Sequence, residues 1–172
     1  MWTHRTARLS ALLLLTLPLV GGAAIPALGS VLRADKVLVV KSERRLHLLK
    51  DGRPVRTYPV ALGQEPVGPK QRRGDKRTPE GTYVLDWRNP RSKFYRAIHI
   101  SYPNREDLER ARSKRVSPGG QIMIHGLPRG LEKLGELHAL VDWTEGCIAV
   151  TNTQMDEIWR LVPNGTPIEI RP

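Results

Sequence analysis

The chain reads as a mainly-β domain, two packed sheets with a few short helices at the rim. Three observations predict it. Short apolar, β-favouring runs recur from Lys36 onward, bounded by Gly, Pro, Asn and Asp. Asp51-Gly52 stands between two of these runs and is hairpin turn chemistry. Helical spacing is confined to a few short stretches, and no segment repeats or is low in complexity. A length of 172 residues suits one domain that buries a core of its own.

The N-terminal stretch is set apart. Residues 1–8 carry Arg5 and Arg8 without an acid, residues 9–20 are almost wholly apolar, and small residues follow to Ser30. That order predicts a secretory signal peptide, residues 1–29, cleaved after Gly29, with Ala24 or Ala27 as alternative points. The apolar run is short for a membrane span, and Pro18 and Pro26 interrupt its continuation. Export to the periplasm or cell envelope is therefore expected, and an uncleaved signal segment is the one membrane attachment foreseen. With no cysteine near the cleavage point, a lipoprotein anchor is not expected. Loss of Arg5 and Arg8 lowers the formal charge from +11 to +9, so residues 30–172 form a strongly basic domain.

The elements follow in order. Residues 37–40 are an apolar strand, residues 45–49 alternate imperfectly, and the Asp51-Gly52 turn leads into a third strand over 55–62, with His47 facing out of the hairpin. Residues 63–77 hold Lys70, Arg72, Arg73, Lys76 and Arg77 among Pro66, Gly68, Pro69 and Gly74. This is a loop, either simply solvated or attracting an anionic polymer. Strands at 83–87 and 97–102 flank a turn through Asn89-Pro90, and His99 reads as a structural strand histidine. Asn104 caps a short helix with Glu106 and Asp107 in its first turn and Arg110, Arg112, Lys114 and Arg115 toward its end, as the helix dipole favours. Pro118-Gly119-Gly120 stops it, and a buried strand ends at His125. Leu131, Leu134, Leu137, Leu140 and Val141 then recur at helical spacing, weakened by Gly135, over what should be the mouth of a site. A strand over 147–150, a helix capped by Thr151 or Asn152, a Pro163-Asn164-Gly165 turn and a last strand over 167–170 complete the domain.

The chemistry converges on residues 121–150. Cys147 is the only cysteine. In an exported chain an unpaired thiol reads as reactive or as half of an intermolecular bridge, against the commoner role of a small buried hydrophobe. A free thiol has a pKa of about 8.5 and needs a base or cation beside it. His125 is the leading candidate, because strands 121–125 and 147–150 lying side by side would bring the two together. Gly126 follows, where a chain turns sharply or admits a substrate. Papain-like enzymes place histidine after cysteine, and none follows Cys147. A zinc site needs several soft ligands, so no metal or cofactor is called for.

Ile124-His125-Gly126 with Thr144-x-Gly146-Cys147-Ile148 resembles the signature of the L,D-transpeptidase (YkuD-type) catalytic domain, in a subgroup reading T-x-G-C-I-A-V-T-N. Thr78-Pro79-Glu80-Gly81-Thr82-Tyr83 is similar to the T-P-x-G-x-[YF] segment of that family, and Lys50-Asp51-Gly52 with residues 58–63 resembles its opening hairpin. The resemblance covers roughly residues 35–171 and implies an L,D-transpeptidase-like β-sandwich acting on peptidoglycan stem peptides. In that chemistry Cys147 attacks the carbonyl before the terminal D-alanine of a tetrapeptide, and His125 holds the thiol proton and passes it to the leaving amine. Gly146 and Cys147 offer oxyanion N–H groups, and Thr144 orients the imidazole. Gly126, Arg129 and His138 are candidate substrate contacts. An amine then releases the acyl group, forming a cross-link or attaching a wall-anchored lipoprotein, or water does.

Two positions depart from the family pattern. Glu145 stands where histidine or asparagine is frequent, and Ala149 replaces the arginine usual two residues after the cysteine. The subgroup lacking that arginine includes enzymes thought to cut such bonds, so an L,D-carboxypeptidase or amidase is the alternative, and Arg129 is the nearest replacement cation in sequence. A reading of another class is a non-catalytic cationic module that binds the cell wall. Nucleic-acid binding fits the charge, but neither the signal peptide nor the lack of a stacking array supports it.

Overall fold

The computed structural model describes residues 32–172, and the signal-peptide reading lies outside them. Eight strands are present: β1 (Lys36–Val40), β2 (Arg45–Lys50), β3 (Arg53–Pro59), β4 (Gly81–Ser92), β5 (Tyr95–Ile100), β6 (Met123–His125), β7 (Ile148–Ala149) and β8 (Thr166–Arg171). Two α-helices, α1 (Arg105–Ser113) and α2 (Asn152–Leu161), and a 3-10 segment, Glu132–Leu140, complete the domain. The mainly-β class with few short helices holds. Its strands are hydrogen-bonded as one sheet in the order β3-β2-β1-β8-β4-β5-β6-β7. Beyond β3 the chain crosses to the far edge, where Ala61 bridges Ala149 and Gly63 bridges Thr144. The two ends of the sheet therefore meet beside the Thr144–Ala149 segment.

Alternation explains the core. In β1 and β2 the residues Val37, Val39, Leu46 and Leu48 are fully buried, and Leu85, Ile98, Ile100, Ile124, Ile148 and Ile168 continue the same cluster. Each such side chain contributes about 1.5–3 kcal/mol on burial. Helix α2 closes one side with Met155, Ile158 and Leu161. Thr151 caps it, accepting from Gln154 N while the Gln154 side chain accepts from Thr151 N. Asn104 and Asp107 form the same reciprocal cap on α1.

Two sequence expectations are corrected here. Asn89-Pro90 is not a turn: β4 runs through it to Ser92, and the chain reverses before Tyr95. Irregular pairing between Leu85 and Arg88 and between Asn89 and Ser92 places Pro90, which has no N–H, in an interval the ladder skips. The leucine-rich stretch is no continuous helix either. Gly135 breaks it with φ +52 and ψ −136, and Leu137, Leu140 and Val141 are exposed.

Candidate active site

His125 closes β6, and Cys147 immediately precedes β7. The two strands pair in parallel with Ile124 opposite Ile148 and His125 opposite Ala149. That register sets Cys147 alongside Met123 and puts 123, 125, 147 and 149 on one face. The two segments lie side by side as expected, with His125 one diagonal position from Cys147 on that face.

The imidazole is held on three sides. Its Nδ1 lies 2.7 Å from the Gly126 carbonyl oxygen, which can only accept, so Nδ1 carries the hydrogen and Nε2 keeps its lone pair. Phe94 stacks on the ring at 4.5 Å, and Trp143 meets it edge-on at 5.8 Å. Burial pulls the His125 pKa down to about 4, so the ring is neutral at neutral pH. Gly126 therefore orients the histidine through its carbonyl, and its lack of a side chain serves packing. A Cβ there would meet Asn152 Oδ1 at 2.5 Å, and that oxygen already accepts from Leu127 N.

Cys147 is partly exposed, and its thiol donates to the Gln121 carbonyl at 3.6 Å. Burial raises its pKa, opposed by the Met123 N–H and the ammonium charges of Lys70 and Lys93. The resting pair is accordingly a thiol and a neutral imidazole rather than an ion pair. The thiol opens onto a cleft of about 610 Å³, whose walls include Lys70, Arg73, Gln121 and Glu145.

Thr144 and Gly146 take roles other than those first read for them. The Thr144 hydroxyl donates to the Cys147 carbonyl at 2.7 Å and accepts from Gly146 N at 3.1 Å. It shapes the loop under the thiol and does not orient the imidazole. The Gly146 N–H is occupied by that bond, so only the Cys147 N–H lacks a partner among the described residues. Glycine is needed at 146 because φ is +123 and a Cβ would lie 2.6 Å from the Arg77 carbonyl. Backbone, not substrate, makes the close approach.

The remaining contacts divide. His138 is buried at 5 % exposure, neither ring nitrogen has a partner, and it lies near enough for its charge to weigh on His125. Arg129 is exposed and lines a cleft with Lys93, Tyr95 and Glu132, and it is not among the residues that line the thiol cleft.

Residues 34–170 match the model of the L,D-transpeptidase catalytic domain, YkuD. The chain belongs to this family. It is 35% identical over 133 residues to the L,D-transpeptidase-type protein YafK of Escherichia coli K12, covering 73% of this chain and 46% of YafK. Among solved structures it is similar to the helical cell shape determining protein Pgp2 of Campylobacter jejuni, with TM-score 0.60, 27% identity, and 78% of this chain and 46% of that one covered. Bd1075 of Bdellovibrio bacteriovorus gives TM-score 0.56 and 25% identity over 81% of this chain and 48% of that one. The chain thus spans about half the length of these relatives.

Within this L,D-transpeptidase domain, sequence reasoning missed four contributors: Phe94, Trp143, Asn152 and Asp142. Asp142 accepts from Leu62 N at 2.9 Å and pairs with Arg44, tying the segment before Thr144 to the chain beyond β3. Phe94 carried one signal, being the only phenylalanine and lying in a polar turn. Among the described residues no group of three or more His, Cys, Asp or Glu side chains is placed to hold a metal ion.

Proposed function

We propose that this domain is a cysteine-dependent L,D-transpeptidase that acts on peptidoglycan stem peptides through a Cys147 acyl-enzyme, in cell-wall cross-linking or remodelling. One observation supports the reading: in the β6–β7 register His125 and the only thiol share one face of the sheet, one diagonal position apart, with Nδ1 tied to the Gly126 carbonyl and Nε2 left to accept a proton. The neutral imidazole takes the thiol proton as sulfur attacks the carbonyl before the terminal D-alanine, and returns it to the departing amine. The Cys147 N–H receives the developing oxyanion. Burial disfavours a standing thiolate, so proton transfer accompanies attack.

An amine acceptor then gives a cross-link or a protein attachment, and water gives an L,D-carboxypeptidase. The T-x-G-C-I-A-V-T-N string with Ala149 supports the hydrolytic outcome as the second reading. Export to the periplasm or cell envelope accompanies either, and among the described residues no helix is long and apolar enough to cross a membrane. Incubating the purified protein with muropeptide tetrapeptides tests both by mass spectrometry. Loss of D-alanine with new dimers, abolished in Cys147→Ala, is the transpeptidase result. Tripeptides without dimers identify the hydrolase, unless lipoprotein-linked wall fragments supply the acceptor. No change on any wall substrate would leave a cationic wall-binding module.

A further inference from the structure

The cleft at Cys147 has a cationic wall that the reaction described so far does not use. It belongs to the 63–77 loop, and its two cations differ in kind. Lys70 is buried at 4 % exposure, and its ammonium is paired with Asp75 at 2.7 Å. Asp75 also accepts from the N–H groups of Gln71, Arg72 and Arg77, so this buried pair folds the loop and its charge is already compensated.

Arg73 is the opposite case. It is exposed, and its guanidinium makes no ion pair or hydrogen bond among the described residues. Its main chain is nonetheless fixed, with Arg73 N donating to the Ser117 carbonyl at 2.7 Å. Gly119, at φ +84, packs against it from the same segment. A Cβ there would come within 3.3 Å of Arg73 Cα and 3.6 Å of Lys70 Cε. The root of the side chain is held, its charged head has no partner among the described residues, and the residue lines the same cleft as the thiol.

We infer that Arg73 binds the terminal carboxylate of the acyl-donor peptide, an assignment that rests on the function proposed above. The carboxylate of the departing residue lies one residue beyond the attacked carbonyl, a reach of about 3.3–3.6 Å along an extended chain. A planar guanidinium takes such a carboxylate through two parallel N–H bonds. Glu145 borders the same cleft, where its carboxylate accepts from the Gln64 side-chain amide of the 63–77 loop. Arg73 thus supplies the cation that Ala149 lacks, and it selects donors that end in a free acid.

The test compares three tetrapeptide donors: the free acid, its terminal carboxamide, and a donor amidated only at its second residue. Each is incubated with the purified protein and with Arg73→Ala and Arg73→Lys, and the acyl-donor turnover is followed by mass spectrometry. The wild type prefers the free acid over the terminal carboxamide by about 10- to 100-fold in kcat/KM, mostly through KM. Arg73→Ala loses that preference while turning over the carboxamide at the wild-type rate, and Arg73→Lys restores part of it. An unchanged acid-to-amide ratio in Arg73→Ala overturns the assignment alone, as does a preference that follows amidation at the second residue. A folded wild type that consumes no donor overturns the functional reading and this assignment together.

Discussion

Gly146→Ala separates a backbone role for this glycine from a substrate-access role. A Cβ at 146 would lie 2.6 Å from the Arg77 carbonyl oxygen and 3.3 Å from Ile122 Cδ1. The first neighbour is main chain and cannot swing aside. At φ +123 an L side chain is also strained, at about 1–3 kcal/mol. Overpacking adds about 1–3 kcal/mol, so the total is about 2–6 kcal/mol. At roughly 4 °C per kcal/mol for a domain of this size, Tm falls by roughly 8 °C or more. Thermal unfolding followed by circular dichroism reads it directly. Gly120→Ala is the control, since nothing lies within 4 Å of its Cβ and no left-handed φ is required. It leaves stability unchanged or raises it by about 0.4–1 kcal/mol. A Gly146→Ala protein melting within about 2 °C of wild type would refute the packing argument and return this glycine to substrate access.

Three further outcomes are expected. Thr144→Val removes the bond to the Cys147 carbonyl and leaves the buried Gly146 N–H unpaired, costing about 1–3 kcal/mol in urea unfolding, with the thiol alkylated at an altered rate. His125 gives a pH signature independent of activity. Its folded pKa, about 4, is depressed below the unfolded value of 6.5, so its contribution is complete above pH 6.5 and is lost as pH falls toward 4. Between pH 6.5 and 5 the wild type therefore loses roughly 2 kcal/mol more than His125→Gln in parallel denaturant titrations; equal losses would contradict the buried neutral imidazole. Lys41→Met tests the clamp at the base of the 63–77 loop. Its buried ammonium bonds Glu80 and the Gly68 and Thr78 carbonyls, so removing it costs about 3–5 kcal/mol. A stability change under about 1 kcal/mol would show that the clamp is dispensable.

Much of this was legible because local chemistry and fold agree. The Asp51-Gly52 hairpin, the Asn104 and Thr151 caps and the alternating strands sit where propensity puts them. The pairing of the strand that ends at His125 with the strand that follows Cys147 came from two short apolar strands needing neighbours. What stayed hidden depends on contacts between distant segments. Proline and glycine punctuation misplaced the turn at Pro90, because irregular β4–β5 pairing lets the strand continue. Leucine spacing over 131–141 suggested a helix, whereas Gly135 breaks the 3-10 segment and only His138 is buried within it. Thr144 and Gly146 were assigned to the imidazole and the oxyanion from residue type, a hydroxyl that can bond and a glycine that lets a substrate come close. Their partners, the Cys147 and Arg77 carbonyls, become visible only once the loop is folded. Arg73 lies 74 positions from the thiol whose cleft it lines, beyond the reach of any local pattern.

The most direct test of the central claim is intact-protein mass spectrometry of the wild type quenched during turnover of a tetrapeptide donor. A covalent adduct equal to the donor minus D-alanine, mapped by proteolysis to Cys147 and absent in Cys147→Ala, is the predicted result. Release of D-alanine with no adduct and undiminished by Cys147→Ala would contradict it.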